Sequence, residues 1–143
     1  MRSPRRLSTI LVLLGALVAT AAPAQDGPIQ GAWSVVSAEQ NGKPATDVAR
    51  HRLTFSGDTF TISRDERTLY RGTYSVDTGK KPAWIDFHHS SADLAGKVWK
   101  GIYRLEGAQL TICDNAPDMA RPRPTRLVAG AGHICIVFQR ATG

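Results

Sequence analysis

Apolar and polar residues alternate in short runs along most of the chain, and no helical period of useful length interrupts them. In the stretch from Trp33 to Glu39, Trp33 and Val35 share one face, and small residues with Val36 occupy the other. Because side chains alternate between the two faces of a strand, such runs predict half-buried β-strands. Gly, Asn, Asp and Pro residues separate the runs at spacings of about a dozen residues, which is typical of an all-β meander.

Counting these runs predicts an all-β fold of eight antiparallel strands, joined mostly in sequence order. The predicted strands span residues 33–39, 52–55, 59–62, 70–77, 83–88, 99–106, 109–113 and 134–140. Eight such strands suit a closed up-and-down barrel. Closure removes the exposed edges and leaves an interior that side chains fill or that holds one small ligand.

Two segments, 70–77 and 99–106, repeat one pattern: aromatic, base, glycine, any residue, tyrosine, any residue, aliphatic, acid. In a strand, this pattern places Tyr70 with Tyr74, and Trp99 with Tyr103, on faces that also carry the glycine. A glycine in mid-strand costs stability, so its recurrence favours a bend or a close backbone approach. We predict that both aromatic faces point into the barrel; the alternative is chance similarity between two amphipathic strands.

The aromatic side chains predicted to point inward are the candidate ligand-binding residues. They are Trp33, Phe55, Phe60, Tyr70, Tyr74, Trp84, Trp99 and Tyr103. Ligand pockets are mostly apolar with a few polar groups, and the three tyrosine hydroxyls would supply those groups. The alternative is that the aromatic residues simply fill the core, and for Trp33 we expect a structural role at the base of the barrel.

The N-terminus has the pattern of an export signal. Arg2, Arg5 and Arg6 precede an apolar run, Ile10 to Ala22, which ends in a small-x-small cleavage motif. This order predicts a secretory signal peptide over residues 1–24 rather than a membrane anchor, because the run is short for a bilayer span. We therefore expect a single barrel domain over residues 25–143 and a periplasmic or secreted location.

Charge and composition narrow the classes of partner. The chain has 18 basic and 12 acidic residues, and removing residues 1–24 takes away three arginines and no acid. The remaining charge of about +3 is ordinary for a soluble surface, so we expect no nucleic-acid partner. The remaining 119 residues are enough for one domain with one core.

The two cysteines, Cys113 and Cys135, lie at the end of one predicted strand and the start of the next. If these strands are neighbours, a disulfide would close the loop between them and stabilise the fold by about 3 kcal/mol. Two buried thiols are the alternative, as is a metal site that includes His133. Neither this set nor the group of Asp86, His88 and His89 has a diagnostic metal-ligand spacing, so we predict no metal.

The sequence contains no nucleophile elbow, no telling pair of carboxylates and no phosphate-binding glycine loop, so we expect neither catalysis nor a cofactor. The long Pro- and Gly-rich segment 114–133 carries Arg121, Arg123 and Arg126. These arginines would cover the barrel mouth or contact an acidic partner, but the simpler expectation is a solvated loop that its prolines stiffen. The second hypothesis for function is therefore a protein-interaction module, such as an inhibitor of a secreted hydrolase, that uses this loop.

A set of short motifs in this order resembles a known family. The motifs are Gly31-Ala32-Trp33-Ser34-Val35-Val36, Asn41-Gly42-Lys43, Leu53-Thr54-Phe55, Gly72-Thr73-Tyr74, Lys80-Lys81-Pro82 with Ile85-Asp86, Gly101-Ile102-Tyr103 with Leu110 and Cys113, and Arg121-Pro122-Arg123-Pro124-Thr125. The Gly-x-Trp start is similar to the lipocalin signature, and the whole set resembles the lipocalin-like domain of uncharacterised exported bacterial proteins of the planctomycete type. The resemblance implies a barrel and an exported location but no reaction. Cys135 departs from the usual pattern, in which only the first cysteine is expected.

The leading hypothesis for function is a non-enzymatic domain that binds a small apolar or amphipathic ligand in its barrel.

Overall fold

The computed structural model describes residues 28–142, and the predicted signal peptide lies outside them. Within the described range no helix is long and apolar enough to cross a membrane. Two 3₁₀ turns, Thr46–Val48 and Ala92–Leu94, accompany the strands. The strands are β1 (Gly31–Gln40), β2 (Lys43–Pro44), β3 (His51–Ser56), β4 (Thr59–Arg64), β5 (Arg67–Asp77), β6 (Ala83–His89), β7 (Val98–Glu106), β8 (Gln109–Asp114) and β9 (Ile134–Arg140).

The predicted eight-stranded antiparallel barrel is confirmed. Each strand from β3 to β8 pairs with the next, β1 pairs with β3, and β1 also pairs with β9, which closes the sheet. The two-residue strand β2 pairs only with the end of β1, so it is an addition to the barrel rather than a ninth barrel strand. Because the sheet closes, each of the eight barrel strands has a neighbour on both sides.

The repeated aromatic pattern does form two inward faces, on β5 and β7. Tyr74, Trp99 and Tyr103 are buried. A β-carbon added at Gly72 would lie 1.9 Å from the carbonyl oxygen of His88 in the neighbouring strand. One added at Gly101 would lie 2.8 Å from the carbonyl oxygen of Cys113. The glycines therefore allow a close approach between backbones, which was one of the two predicted reasons for them.

An irregularity in β1 changes which residues face the interior. Trp33 and Val35 point inward, but the pairing with β9 shifts by one residue between Val35 and Ser37. Val36, at this β-bulge, is 57% exposed. Beyond it the inward positions move by one, so that Gln40 at the end of the strand faces the barrel interior.

The core is concentrated at one end of the barrel, which we call the closed end. Trp33 is fully buried there, and its indole N–H donates to the carbonyl oxygen of Ile29 at 2.8 Å. The guanidinium of Arg140 lies 4.3 Å from the centre of the indole ring. Phe55 packs on Tyr74 with ring centres 4.5 Å apart. Trp33 therefore has the predicted position at the base of the barrel.

Candidate functional site

The opposite end of the barrel, which we call the open end, contains a cavity of about 320 Å³. It lies where β1 and β8 end and where β3 and β9 begin. Its wall combines inward residues of most strands with residues of the connections at the rim. These residues are Gln40, Asp47, Val48, His51, Leu53, Ile62, Tyr70, Phe87, Trp99, Ile112, Asp114, Ala116, Pro117, Ile134, Ile136 and Phe138.

The cavity wall is mainly apolar, and its charged chemistry is one-sided. Two carboxylates line it, Asp47 at the exposed rim and Asp114 in the buried wall, and the uncharged polar residues include Gln40, His51 and Tyr70. No lysine or arginine is among the described residues that line the cavity. A mostly apolar space with a few polar groups is the usual form of a small-ligand site.

Asp114 occupies the last inward position of β8, two residues beyond Ile112. Its side chain is buried, and burial raises the pKa of its carboxyl group to about 7, because the charged form loses its hydration. Oδ1 accepts a hydrogen bond from the backbone N–H of Ala116 at 2.8 Å, which favours the charged form but only partly offsets the effect of burial.

His51 lies at the rim, where β3 begins. Burial lowers the pKa of its imidazole, and the charge of Arg64 lowers it further, whereas Asp47 acts in the opposite direction. The usual pKa of histidine is already below 7. His51 is therefore neutral at pH 7, and it brings no positive charge to the cavity.

An aromatic cluster lies next to the cavity, with side chains from β4, β5, β6 and β7. Its centre is His89, which is 4% exposed. The ring centre of His89 lies 4.1 Å from that of Trp99, 5.3 Å from that of Phe60 and 5.9 Å from that of Tyr70. Neither ring nitrogen of His89 has a hydrogen-bond partner among the described residues. Burial, with the neighbouring His88 as a smaller cause, lowers its pKa to about 4.

Of the eight aromatic residues predicted to line the barrel, two line the cavity, five pack into the core, and Trp84 lies on the outer face. Tyr70 and Trp99 line the cavity. The hydroxyl group of Tyr74 donates to the carbonyl oxygen of Gly57 at 3.2 Å and does not reach the cavity. With Tyr74, the residues that pack into the core and do not line the cavity are Trp33, Phe55, Phe60 and Tyr103.

The prediction that Trp84 points into the barrel is wrong. Within β6 the buried positions are Ile85, Phe87 and His89, so Trp84 falls on the outer face, where it is 38% exposed. The guanidinium carbon of Arg123 lies 4.1 Å from the centre of its ring. Attraction between a cation and an aromatic face stabilises an indole in this partly exposed position, so the inner face is not required.

The two cysteines form a disulfide, one of the alternatives that the sequence left open. Cys113 and Cys135 are directly opposite in β8 and β9, and their sulfur atoms are 2.04 Å apart. The neighbouring His133 places Nε2 2.9 Å from the carbonyl oxygen of Pro122. The described residues contain no group of three or more His, Cys, Asp or Glu side chains arranged to hold a metal ion.

The long loop after β8 packs mainly on the outer wall of the barrel. Arg123 forms an ion pair with Asp86 and donates to the carbonyl oxygen of Gly101 at 2.7 Å. One prediction placed Arg123 over the barrel mouth, and these contacts with the outer wall show that this prediction is wrong. Only Ala116 and Pro117, at the start of the loop, line the cavity. The use of this loop as an interaction surface stays a prediction.

A larger groove of about 520 Å³ lies on the surface between residues 46–50 and 64–67. Charged side chains dominate it, including Arg64, Arg67 and the ion pair of Arg50 with Asp65. Both members of this ion pair are largely exposed. The internal cavity is therefore the better candidate for an apolar ligand.

Fold and cavity together define a class of protein: a closed antiparallel barrel of eight strands, consistent with a lipocalin-like fold, with a hollow and mostly apolar open end. Compared with profiles of known protein families and with curated protein sequences, the chain matches none.

The buried carboxyl group of Asp114 is the functional candidate that the sequence prediction missed. The sequence did contain a signal for it: Asp114 lies two residues after Ile112 and four after Leu110, so alternation along β8 places all three on the inward face.

Proposed function

We propose that this protein is an exported, lipocalin-like binding protein that holds a small apolar or amphipathic molecule in the cavity at the open end. The observation that carries the proposal is the cavity of about 320 Å³ inside a closed barrel. The mouth of a β-barrel is one of the usual positions for a small-ligand site, and this cavity lies there. Its volume lies at the lower end of the range for small-ligand sites.

The proposed activity is binding without catalysis, in keeping with the mostly apolar wall. The proposed export is supported by the N-terminal pattern of Arg5, Arg6 and the apolar run that follows. The disulfide of Cys113 with Cys135 agrees with this location, because disulfides form and persist in oxidising compartments. Membership of the lipocalin-like family of exported bacterial domains is part of the same proposal.

A fluorescent apolar probe tests the cavity directly. N-phenyl-1-naphthylamine should bind the purified protein with a stoichiometry of one and a rise in its emission. Ile136→Trp places a large side chain in the cavity wall and should weaken this binding at least about tenfold, since overfilling excludes the probe. Val36→Trp adds an indole on the exposed outer face and should leave binding unchanged.

Native mass spectrometry of protein purified from its producing cells gives the second test. The spectrum should show an additional small mass that disappears after the protein is unfolded and refolded. Probe binding that is equal in the Ile136→Trp and Val36→Trp variants would place the probe outside the cavity and overturn the proposal.

A further inference from the structure

Asp114 is a buried ionisable group for which the described residues supply no counter-charge. Its side chain is 6% exposed and lines the cavity. Its one hydrogen bond within residues 28–142 comes from the backbone N–H of Ala116. No described lysine, arginine or histidine forms an ion pair with it.

An ionised carboxylate in such a place is costly unless a cation accompanies it. Transfer of a charge out of water carries a large penalty, and buried charges are normally paired or bound to metals. The described wall of the cavity contains no lysine or arginine, and His51 there is neutral at pH 7. A molecule that brings a positive charge into the cavity would therefore supply the interaction that the protein lacks.

We propose that the ligand is a small organic amine whose ammonium group pairs with Asp114 while its apolar part packs on Tyr70, Trp99 and Phe87. This inference rests on the proposed function, and it names the class of ligand. The second carboxylate, Asp47 at the rim, has the same sign and adds to the attraction. The aromatic faces of Tyr70 and Trp99 also attract cations.

The shape and chemistry of the site exclude two simpler occupants. A metal ion would need several convergent ligands, and the described residues contain no group of three or more His, Cys, Asp or Glu side chains to hold one. An anionic ligand would meet two carboxylates and no cationic side chain in the described wall. One water occupies about 30 Å³ in the liquid, so the cavity of about 320 Å³ has the volume of roughly ten waters, enough for one small organic molecule.

Three ligands of equal length test the charge preference: n-octylamine, 1-octanol and octanoate, each displacing N-phenyl-1-naphthylamine at pH 8. n-Octylamine should bind about 10- to 100-fold more tightly than 1-octanol, the range expected for a hydrogen bond to a buried charged group. Octanoate should bind most weakly of the three, because its charge has the same sign as that of Asp114.

Asp114→Asn should remove this preference, so that n-octylamine and 1-octanol bind with equal affinity. Asparagine keeps an oxygen that accepts from Ala116, so the substitution removes the charge and preserves the local hydrogen bond. Asp58→Asn is the matched control: it removes an exposed carboxylate from the turn between β3 and β4, at the closed end and outside the cavity wall, and it should leave the affinity unchanged.

A pH series on the unmodified protein tests the same point without a substitution. The proton competes with the ammonium group for the carboxylate, so the affinity for n-octylamine should fall by up to tenfold per pH unit below about 7. The affinity for 1-octanol should stay nearly constant. The pH dependence that remains in Asp114→Asn reports His51, whose pKa burial lowers and which also lines the cavity.

The outcomes separate the two proposals. If the probe binds in the cavity but 1-octanol binds as tightly as n-octylamine, the amine proposal is wrong and the binding function stands. A preference that survives in Asp114→Asn also overturns the assignment of Asp114. If neither the probe nor any of the three ligands binds, both proposals fail.

Discussion

The two ends of the barrel consist of the same strands, but the interior of one end is filled with side chains and the interior of the other contains a cavity. At the closed end, aromatic and aliphatic side chains fill the interior around Trp33. At the open end, the same inward alternation surrounds a cavity of about 320 Å³ and buries the carboxyl group of Asp114 in its wall. One end is therefore arranged for stability, and the other accepts energetic costs that packing alone does not explain.

The polar groups of the closed end have partners. The indole N–H of Trp33 donates to Ile29, and Arg140 covers the indole ring. The guanidinium of Arg140 also donates to the carbonyl oxygens of Gln30 and Pro28, at 2.8 and 2.7 Å. Such satisfied hydrogen bonds add to the burial of a large apolar ring, so this end should contribute most to the free energy of unfolding.

At the open end, several buried polar groups are left without partners. Among the described residues, the indole N–H of Trp99 and both ring nitrogens of His89 make no hydrogen bond. The carboxyl group of Asp114 has a raised pKa for the same underlying reason, burial. Violations of the rules of polar burial concentrate at functional sites, where binding compensates for the lost stability.

Replacing the two buried tryptophans gives the largest expected difference between the ends. Trp33→Ala should lower the free energy of unfolding by about 3–5 kcal/mol, the range for buried large aromatic residues. Trp99→Ala should cost less, about 2–3 kcal/mol, because this ring borders a cavity and its N–H has no partner to lose. Urea denaturation followed by circular dichroism, with the disulfide intact, measures both. A small loss for Trp33→Ala would mean that this residue is outside the core.

Asp114 should make the stability of the protein fall as the pH rises. Its pKa is raised from 3.8 to about 7 in the folded state, so the folded protein holds this proton more tightly than the unfolded chain. The stabilisation is complete below about pH 4 and is lost as the pH rises through about 7. Asp114→Asn should therefore gain about 4 kcal/mol relative to the unmodified protein between pH 4 and pH 8.

The measurement is the difference in unfolding free energy between the two proteins at several pH values. Comparing differences matters because His89 acts in the opposite direction. Its pKa is lowered to about 4, so its protonation destabilises the fold as the pH falls below about 6.5. His89 is present in both proteins and cancels. If the difference in unfolding free energy is the same at pH 4 and pH 8, Asp114 is hydrated in solution and is not buried in the cavity wall.

Local alternation was enough to predict the barrel and the contents of its closed end. The eight strands, the inward faces of β5 and β7 and the base position of Trp33 all depend on side chains that alternate over five to ten residues. The repeated glycine on these faces indicated a close backbone approach, which Gly72 and Gly101 make. These features are readable because each is decided within one strand or between two neighbouring strands.

The open end could not be predicted in the same way, because it depends on irregularities and on distant segments. The β-bulge at Val36 turns Gln40 inward, and no residue of β1 marks its position. Asp114 was assigned to the following loop, although it continues the inward face of β8. The sequence analysis lists Trp84 with the inward aromatic residues, whereas its partner on the outer face, Arg123, lies 39 positions further along the chain. Cavity volume results from all these placements together.

A matched pair of leucines tests the smallest difference between the ends. Leu110 is fully buried in the packed half, opposite Leu105 and Phe138, whereas Leu53 is equally buried but lines the cavity. Leu110→Ala should cost about 3–4 kcal/mol and Leu53→Ala about 2–3 kcal/mol. The first substitution creates a new closed void, and the second enlarges an existing space that the leucine already borders. Equal losses, measured by urea denaturation of the ligand-free protein, would mean that the open end packs as tightly in solution as the closed end. The cavity would then have to be opened by its ligand rather than stand ready for it.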